Sequence, residues 1–100
     1  MNLNRFMNKK VLVRTLSAGV HFGILVEKED RELRLLNTRR IWSWSGALSL
    51  SEIASTGINM KESKISVCIE EILLPEYTEL LPLTSHLVEL IEYPKETVEI

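Results

Sequence analysis

The chain contains few cysteine, proline, glycine or aromatic residues. Its 100 residues include one cysteine, three prolines, four glycines and six aromatic side chains. A single thiol cannot form an internal disulfide, so the fold depends on its apolar core and a reducing compartment is expected. No apolar run reaches the ~20 residues that a membrane-spanning helix needs, and residues 1–8 lack the apolar stretch of a signal peptide. These absences predict a cytoplasmic protein with no membrane partner.

The sequence also lacks the patterns of known enzyme and metal sites. It contains no nucleophile elbow and no phosphate-binding glycine loop. His21 and His86 have no carboxylate at metal-ligand spacing, and on a strand the neighbours Glu70 and Glu71 would point to opposite faces. Cys68 has no histidine or arginine close to it in sequence that would activate a thiolate. We therefore expect a protein that is not an enzyme and that binds no metal or cofactor.

Negative charge predominates only slightly, with a net charge of −2, but the charges are unevenly distributed. Residues 1–40 carry nine Lys/Arg against four Asp/Glu, whereas residues 41–100 carry three against ten. This asymmetry predicts a basic face that could accept an anionic ligand, or head-to-tail contacts between subunits. Duplex DNA is not an expected partner, because non-specific binding to it needs many phosphate contacts from basic residues.

Alternation of apolar and polar residues predicts a single, mostly β domain over residues 9–93. Gly23 lies in the middle of the clearest strand, where a glycine favours a sharp bend or the close approach of another backbone segment. Short turns between the first strands predict a small, strongly bent barrel of the SH3 or Sm-like type. The expected strands are residues 11–16, 20–27, 32–36, 40–44, 65–70 and 77–81.

Two short helices are expected beside these strands. Ser49 and Glu52 form a capping box, and Gly57 stands where a helix C-terminal cap is expected. Residues 50–56 should therefore be helical, within an insertion spanning 47–58. The remaining segments are predicted to be a flexible N-terminal arm (residues 1–8), a last short helix (86–91) and a C-terminal tail (94–100), of which residues 97–100 could add an edge strand.

Both tryptophans, two adjacent arginines and two serines fall within residues 39–46. Arginine supplies paired donors to phosphate or carboxylate and tryptophan supplies a stacking face, so the segment predicts a site for a flat anionic ligand of nucleotide type. On a strand, Arg40, Trp42 and Trp44 would share one face, and that row either packs inside the barrel or lines a binding groove. The predicted binding residues are Arg39 and Arg40 for phosphate, Trp42 or Trp44 for the base, and His21, Ser45, Ser17 and Arg14 for further polar contacts.

The order of strands and turns resembles that of an Sm-like barrel. In that superfamily a glycine turn, here at residues 17–19, leads into a strongly bent second strand between two neighbours. The resemblance implies an RNA-binding ring. Two features differ: the Asp/Met-Asn signature of the third strand is absent, and residues 44–64 would be a large insertion.

Three segments resemble a family of small uncharacterised phage and prophage proteins. They read Ser-Ala-Gly-Val-His-Phe-Gly at residues 17–23, Arg-Arg-Ile-Trp-Ser-Trp-Ser-Gly-Ala at 39–47 and Leu-Ser-Glu-Ile-Ala at 50–54. The chain departs from the family at Asn37 and Thr38, where an alanine is expected before the arginine pair. The family has no established activity, but the resemblance implies a phage accessory protein that counters host defence from the host cytoplasm.

Three functions follow from these observations. The first is a homo-oligomeric protein that sequesters a nucleotide-like anion at the arginine–tryptophan segment without catalysis. The second is a protein-interaction module that docks on a host or phage protein through that segment and the helix at 50–56. The third is an Sm-like RNA-binding ring.

Overall fold

The computed structural model describes residues 5–92, and strands predominate over that range. The predicted mostly β class is confirmed, and two short α-helices accompany the strands. The strands are β1 (Lys10–Thr15), β2 (Val20–Glu29), β3 (Glu32–Ser43), β4 (Lys64–Ile65), β5 (Ile69–Leu74) and β6 (Tyr77–Pro82), and the helices are α1 (Leu50–Ser55) and α2 (Val88–Glu92), with a 3₁₀ turn at Met60–Glu62.

The strands form one antiparallel sheet in the order β4-β3-β2-β1-β6, and β5 pairs with the first part of β3. The consecutive strands β5 and β6 therefore lie at opposite sides of the sheet, although only Pro75 and Glu76 separate them in sequence. Over residues 5–92 no ladder joins β5 to β6, so the sheet stays open. The predicted closed barrel is not confirmed.

The sheet bends where β2 and β3 change register, between Phe22 and Ile24. A Cβ added to Gly23 would lie 2.9 Å from the carbonyl oxygen of Leu36, so only glycine permits this close approach of β3. Asn37 takes a positive φ of 49° on the other strand, which is the geometry of a bulge residue. The predicted strands at 32–36 and 40–44 are therefore one strand with an irregularity, rather than two.

The predicted strand at residues 65–70 is wrong, because the chain leaves the sheet at Ser66 and returns at Ile69. Ser66 Oγ accepts a hydrogen bond from the backbone N–H of Arg40 at 2.7 Å, in place of a backbone carbonyl. This side-chain bond interrupts the ladder between β4 and β3. Beyond it, β5 continues to Leu74, past residue 70, where the predicted strand was expected to end.

Apolar residues pack on both faces of the sheet. Helices α1 and α2 cover one face, and a second apolar cluster lies on the other. On β1, successive residues alternate between the two clusters, as the strand period requires: Leu12 belongs to one, and Val11 and Val13 belong to the other. The cluster under the helices contains Leu12, Phe22, Ile41, Ile53, Leu87 and Ile91 among others, and the second cluster consists of Val11, Val13, Leu25, Leu33, Leu35 and Leu74, with Phe6 and Met7 packed against it.

Helix α1 forms where its capping signals predict it. Ser49 Oγ accepts from the backbone N–H of Glu52 at 3.3 Å, and Gly57 follows the helix with φ +94°. The predicted helix at 86–91 is present as α2, which begins two residues later because i→i+3 bonds form a tighter turn first, including Val88 N–H to the carbonyl of Ser85.

The predictions for the termini fall partly outside the described residues. Of the N-terminal arm, residues 5–8 form a turn in which Asn8 N–H donates to the carbonyl of Leu25 at 2.6 Å. The tail and its possible edge strand at 97–100 lie outside the described range. Within residues 5–92, no helix has the length and apolar character needed to cross a membrane.

Candidate functional site

A groove of about 230 Å³ opens beside β3 and gathers half of the predicted binding residues. We call it the Arg–Trp groove. Strands β2 and β3 supply most of its polar side chains, while β5 and the connection before it supply the remaining residues. It is lined by His21, Thr38, Arg39, Arg40, Trp42, Ser66, Ile69 and Ile72.

Arg40 and Trp42 share a face of β3, as the alternation predicts. The guanidinium carbon of Arg40 lies 5.0 Å from the centroid of the indole, which is cation–π geometry. Trp42 is nevertheless 59% exposed, so this row does not pack inside the sheet. The interpretation of Trp42 as a core residue is therefore wrong, and its indole is accessible to a ligand.

Arg39 is the largest fully buried side chain of the described range, with 1% of its surface exposed. Its Nη1 donates to the carbonyl oxygen of Ser66 at 3.3 Å, which orients the guanidinium at the wall formed by the β4–β5 connection. Burial raises the pKa of the Cys68 thiol, and the positive charge of nearby Arg39 acts in the opposite direction. Arg39 thus places a positive charge at the buried side of the groove, where a low dielectric strengthens its interactions.

His21 is buried and neutral at pH 7, because burial lowers its pKa below the usual 6.5. The hydrogen bond with Ala18 favours the protonated form, whereas the neighbouring charge of Arg40 lowers the pKa further. Its Nε2 lies 2.7 Å from the carbonyl oxygen of Ala18, so Nε2 carries the proton and donates. The other ring nitrogen, Nδ1, is an acceptor, and His21 is therefore suited to receive a ligand N–H rather than to donate to phosphate.

Thr38 is a groove residue that the sequence did not reveal. It is 1% exposed, and its Oγ1 has no hydrogen-bond partner among residues 5–92. A buried hydroxyl without a partner is unfavourable, and a ligand atom in the groove would satisfy it. The position of Thr38 depends on the bulge at Asn37 and on the space left by Gly23, a combination that no local pattern signals.

A second concavity of about 330 Å³, the hairpin-tip groove, lies beside the turn between β1 and β2. It shares Arg40 and Trp42 with the Arg–Trp groove and includes Ser17, another predicted binding residue. The stacked Arg40–Trp42 pair therefore lines both grooves. The hairpin-tip groove is lined by Ser17, Ala18, Gly19, Arg40, Ile41 and Trp42.

The structure does not bring the other predicted residues to Arg40. Arg14 and Trp44 line a third groove of about 380 Å³, together with Leu16 and Leu48, and we call it the Leu–Trp groove. Strand β3 ends at Ser43, so the predicted row of side chains does not continue to Trp44. Trp42 and Trp44 therefore line different grooves.

Ser45 has a structural role in the loop after β3. Its backbone N–H donates to Ser63 Oγ at 3.1 Å, and its carbonyl oxygen accepts from Asn59 N–H at 2.8 Å. It lines none of the three grooves. These bonds hold the loop against the segment after α1.

Another concavity, of about 740 Å³, is lined by none of the predicted binding residues. Basic side chains of Arg5, Lys9 and Lys10 surround an apolar floor, and Lys10 Nζ forms an ion pair with Glu92 at 2.7 Å. No group of three His, Cys, Asp or Glu residues in the described part of the chain is arranged to hold a metal ion.

Comparison with family models matches residues 8–91 to one family, described as a domain of unknown function (DUF6948). No curated protein and no solved structure matches the chain. Neither the expected relationship to phage proteins nor an Sm-like fold is shown by these comparisons. The function has to be inferred from the grooves themselves.

Proposed function

The chain belongs to the DUF6948 family, whose description assigns no function, and we propose that it binds a nucleotide-like anion without catalysis. We base this proposal on the geometry of the site. The observation that carries this proposal is the stack of the half-buried Arg40 on the exposed Trp42, a pair that lines both the Arg–Trp groove and the hairpin-tip groove. Such a pair offers a cation and an aromatic face to one ligand.

The Arg–Trp groove is the side suited to phosphate. Arg39 and Arg40 both line it, and none of its eight lining residues carries a carboxylate. Guanidinium groups bind phosphate oxygens through paired, charge-assisted hydrogen bonds. Thr38 Oγ1, which has no partner in the described range, adds a hydroxyl donor to a phosphate oxygen.

The base of the ligand occupies the exposed face of Trp42, opposite the face that Arg40 covers. The Arg–Trp groove, at about 230 Å³, is smaller than the roughly 300–1,000 Å³ of common small-molecule pockets. A whole nucleotide therefore extends across Trp42 into the hairpin-tip groove. His21 Nδ1 accepts from an N–H or hydroxyl group of the ligand. This size favours a mononucleotide over a cyclic oligonucleotide within one subunit.

The resemblance of three sequence segments to phage proteins supports a biological purpose for such binding. A small binding protein of this kind would sequester a nucleotide signal in the host cytoplasm and so counter host defence. Assembly into a homo-oligomer would allow larger ligands, such as cyclic dinucleotides, to contact two subunits at once.

Titration calorimetry tests the proposal with the ribonucleoside monophosphates and with cyclic di- and trinucleotides as probes. We expect heat of binding from at least one probe and an affinity about tenfold weaker in Arg40→Gln. Arg31→Gln is the matched control, because Arg31 is an exposed arginine outside both grooves.

In Trp44→Phe, where Trp42 is the sole tryptophan, the same probe should change the tryptophan fluorescence. Absence of heat from every probe, with unchanged fluorescence, would refute the proposal.

A further inference from the structure

The Leu–Trp groove exposes an unusual concentration of large apolar side chains. Leu48 is 95% exposed, Leu16 is 70% exposed and Trp44 is 37% exposed, and all three line the groove. They come from two separate loops, the β1–β2 turn and the segment between β3 and α1. Large apolar side chains gathered on a concave surface mark protein-interaction sites, whereas single exposed ones carry no such meaning.

Local hydrogen bonds fix both loops before any partner arrives. Thr15 Oγ1 accepts from Ala18 N–H at 2.8 Å and donates to the carbonyl of Gly19 at 3.0 Å. In the other loop, Ser45 is held by Ser63 and Asn59, and Ser49 caps α1. A rigid apolar surface loses little conformational entropy on binding, which favours affinity.

The charge of the groove indicates the chemistry of the partner that would bind there. Arg14 is the only ionisable residue among the ten that line it, and over residues 5–92 it forms no ion pair. Thr78 Oγ1 donates to the backbone carbonyl of Arg14 at 3.1 Å, which fixes the position of this residue in β1. A carboxylate on the partner would complement the guanidinium.

We propose that the Leu–Trp groove is the docking site for a segment of another protein that carries large apolar side chains beside an aspartate or glutamate. The apolar side chains pack against Leu16, Trp44 and Leu48, and the carboxylate pairs with Arg14. Arg39, Arg40 and Trp42 do not line this surface, which shares only Ser17 and Gly19 with the hairpin-tip groove. Arg14 and Leu48 line neither groove of the proposed nucleotide site, so the docking proposal and the proposed function can fail independently.

Selection from a displayed library of short random peptides, with the full chain as bait, tests this surface. We expect the enriched peptides to share two large apolar residues and one acidic residue. A synthetic peptide of that consensus should bind about tenfold or more weakly to Leu48→Asp and to Arg14→Glu. Replacing its acidic residue by lysine should restore binding to Arg14→Glu, a rescue that a folding defect would not give.

Two substitutions outside the groove are the matched controls. Val67→Asp introduces the same charge at another exposed aliphatic residue, and Arg31→Glu reverses another exposed arginine; both should leave peptide affinity unchanged. The proposal is overturned if no consensus emerges, if the consensus lacks an acidic residue, or if all variants bind alike. Self-association or binding to phosphatidylserine vesicles that is lost in Leu48→Asp would also overturn it, since the occupant would then be a second copy or a membrane.

Discussion

His21 connects the interior of the Arg–Trp groove to the β1–β2 turn through its hydrogen bond with Ala18. Because the ring is buried, the charged form is disfavoured and the pKa is lowered. Protonation would give both nitrogens a proton and place a second positive charge beside Arg40. Acidification is therefore expected to lower the free energy of unfolding and to change the charge of the Arg–Trp groove.

The free energy of unfolding should fall as pH decreases through 6.5 towards the lowered pKa of His21. In that window the unfolded chain, whose histidine titrates near 6.5, binds more protons than the folded chain, so stability rises with pH. Urea unfolding of the wild type and of His21→Gln, at neutral and mildly acidic pH, measures this dependence. The wild type should lose more stability on acidification than the variant. Parallel curves for the two proteins would show that His21 is not the titrating group.

Sequence patterns identified the residue types of the site and part of their grouping. Arg39, Arg40 and Trp42 were predicted together because they are adjacent on one strand, and they do line one groove. Trp44 was expected to join them, but β3 ends before it and the chain turns towards α1. Where a strand ends depends on its hydrogen-bonding partners, here β4, which the alternation of apolar and polar residues does not record.

At the scale of elements, α1 illustrates how local signals succeed. The Ser49 cap, the apolar edge and the terminal glycine lie within nine residues of one another, and each is found where it was predicted. The break between β4 and β5 depends instead on a bond between Ser66 and Arg40, which are 26 residues apart. An alternating sequence is compatible with one continuous strand or with two separate strands. The tertiary hydrogen bond between Ser66 and Arg40 determines which of these forms.

Gly57 is expected to be the glycine at which alanine is most harmful. Its φ of +94° is unfavourable for alanine, and the added Cβ would lie 2.1 Å from Cδ2 of His86. His86 cannot move away freely, since its Nε2 is hydrogen-bonded to the backbone of Ile58, at 3.1 Å from the nitrogen and 3.0 Å from the carbonyl oxygen. Gly19→Ala is the matched control, with φ +87° but no atom within 4 Å of the new Cβ.

Thermal or urea denaturation should separate these two effects. Gly19→Ala should cost about 1–2 kcal/mol, the price of a left-handed alanine. Gly57→Ala should cost at least about 1 kcal/mol more, because it also displaces His86 and removes its hydrogen bond with the backbone of Ile58. Equal losses for the two variants would mean that the contact with His86 contributes nothing to the end of α1.

For the whole molecule, the open sheet leaves β5 with one hydrogen-bonded neighbour, β3, in the described range. Ile69 and Leu73 are 44% and 58% exposed on this strand. An exposed edge strand with apolar side chains pairs readily with another chain unless it is protected. We therefore expect homo-oligomers that form through β5.

Light scattering should give a mass of at least two chains for the wild type and of one chain for Leu73→Lys. Lysine at an edge strand opposes pairing because its charge would be desolvated in the interface. Ser51→Lys adds the same charge on an exposed face of α1 and should keep the wild-type mass. A monomeric wild type at all concentrations would exclude the expected oligomer, and an unchanged mass for Leu73→Lys would exclude β5 as its interface.

The turn at residues 17–19 has neighbours on three sides: it lines the hairpin-tip groove and the Leu–Trp groove, and His21 holds its Ala18 carbonyl from the Arg–Trp groove. A ligand that shifts His21 would therefore change the shape offered to a protein partner. Linkage requires the reverse effect to be equal, so a bound partner would alter ligand affinity by the same factor. This short turn thus provides a physical route by which a ligand bound at the small-molecule site could change the affinity for another protein.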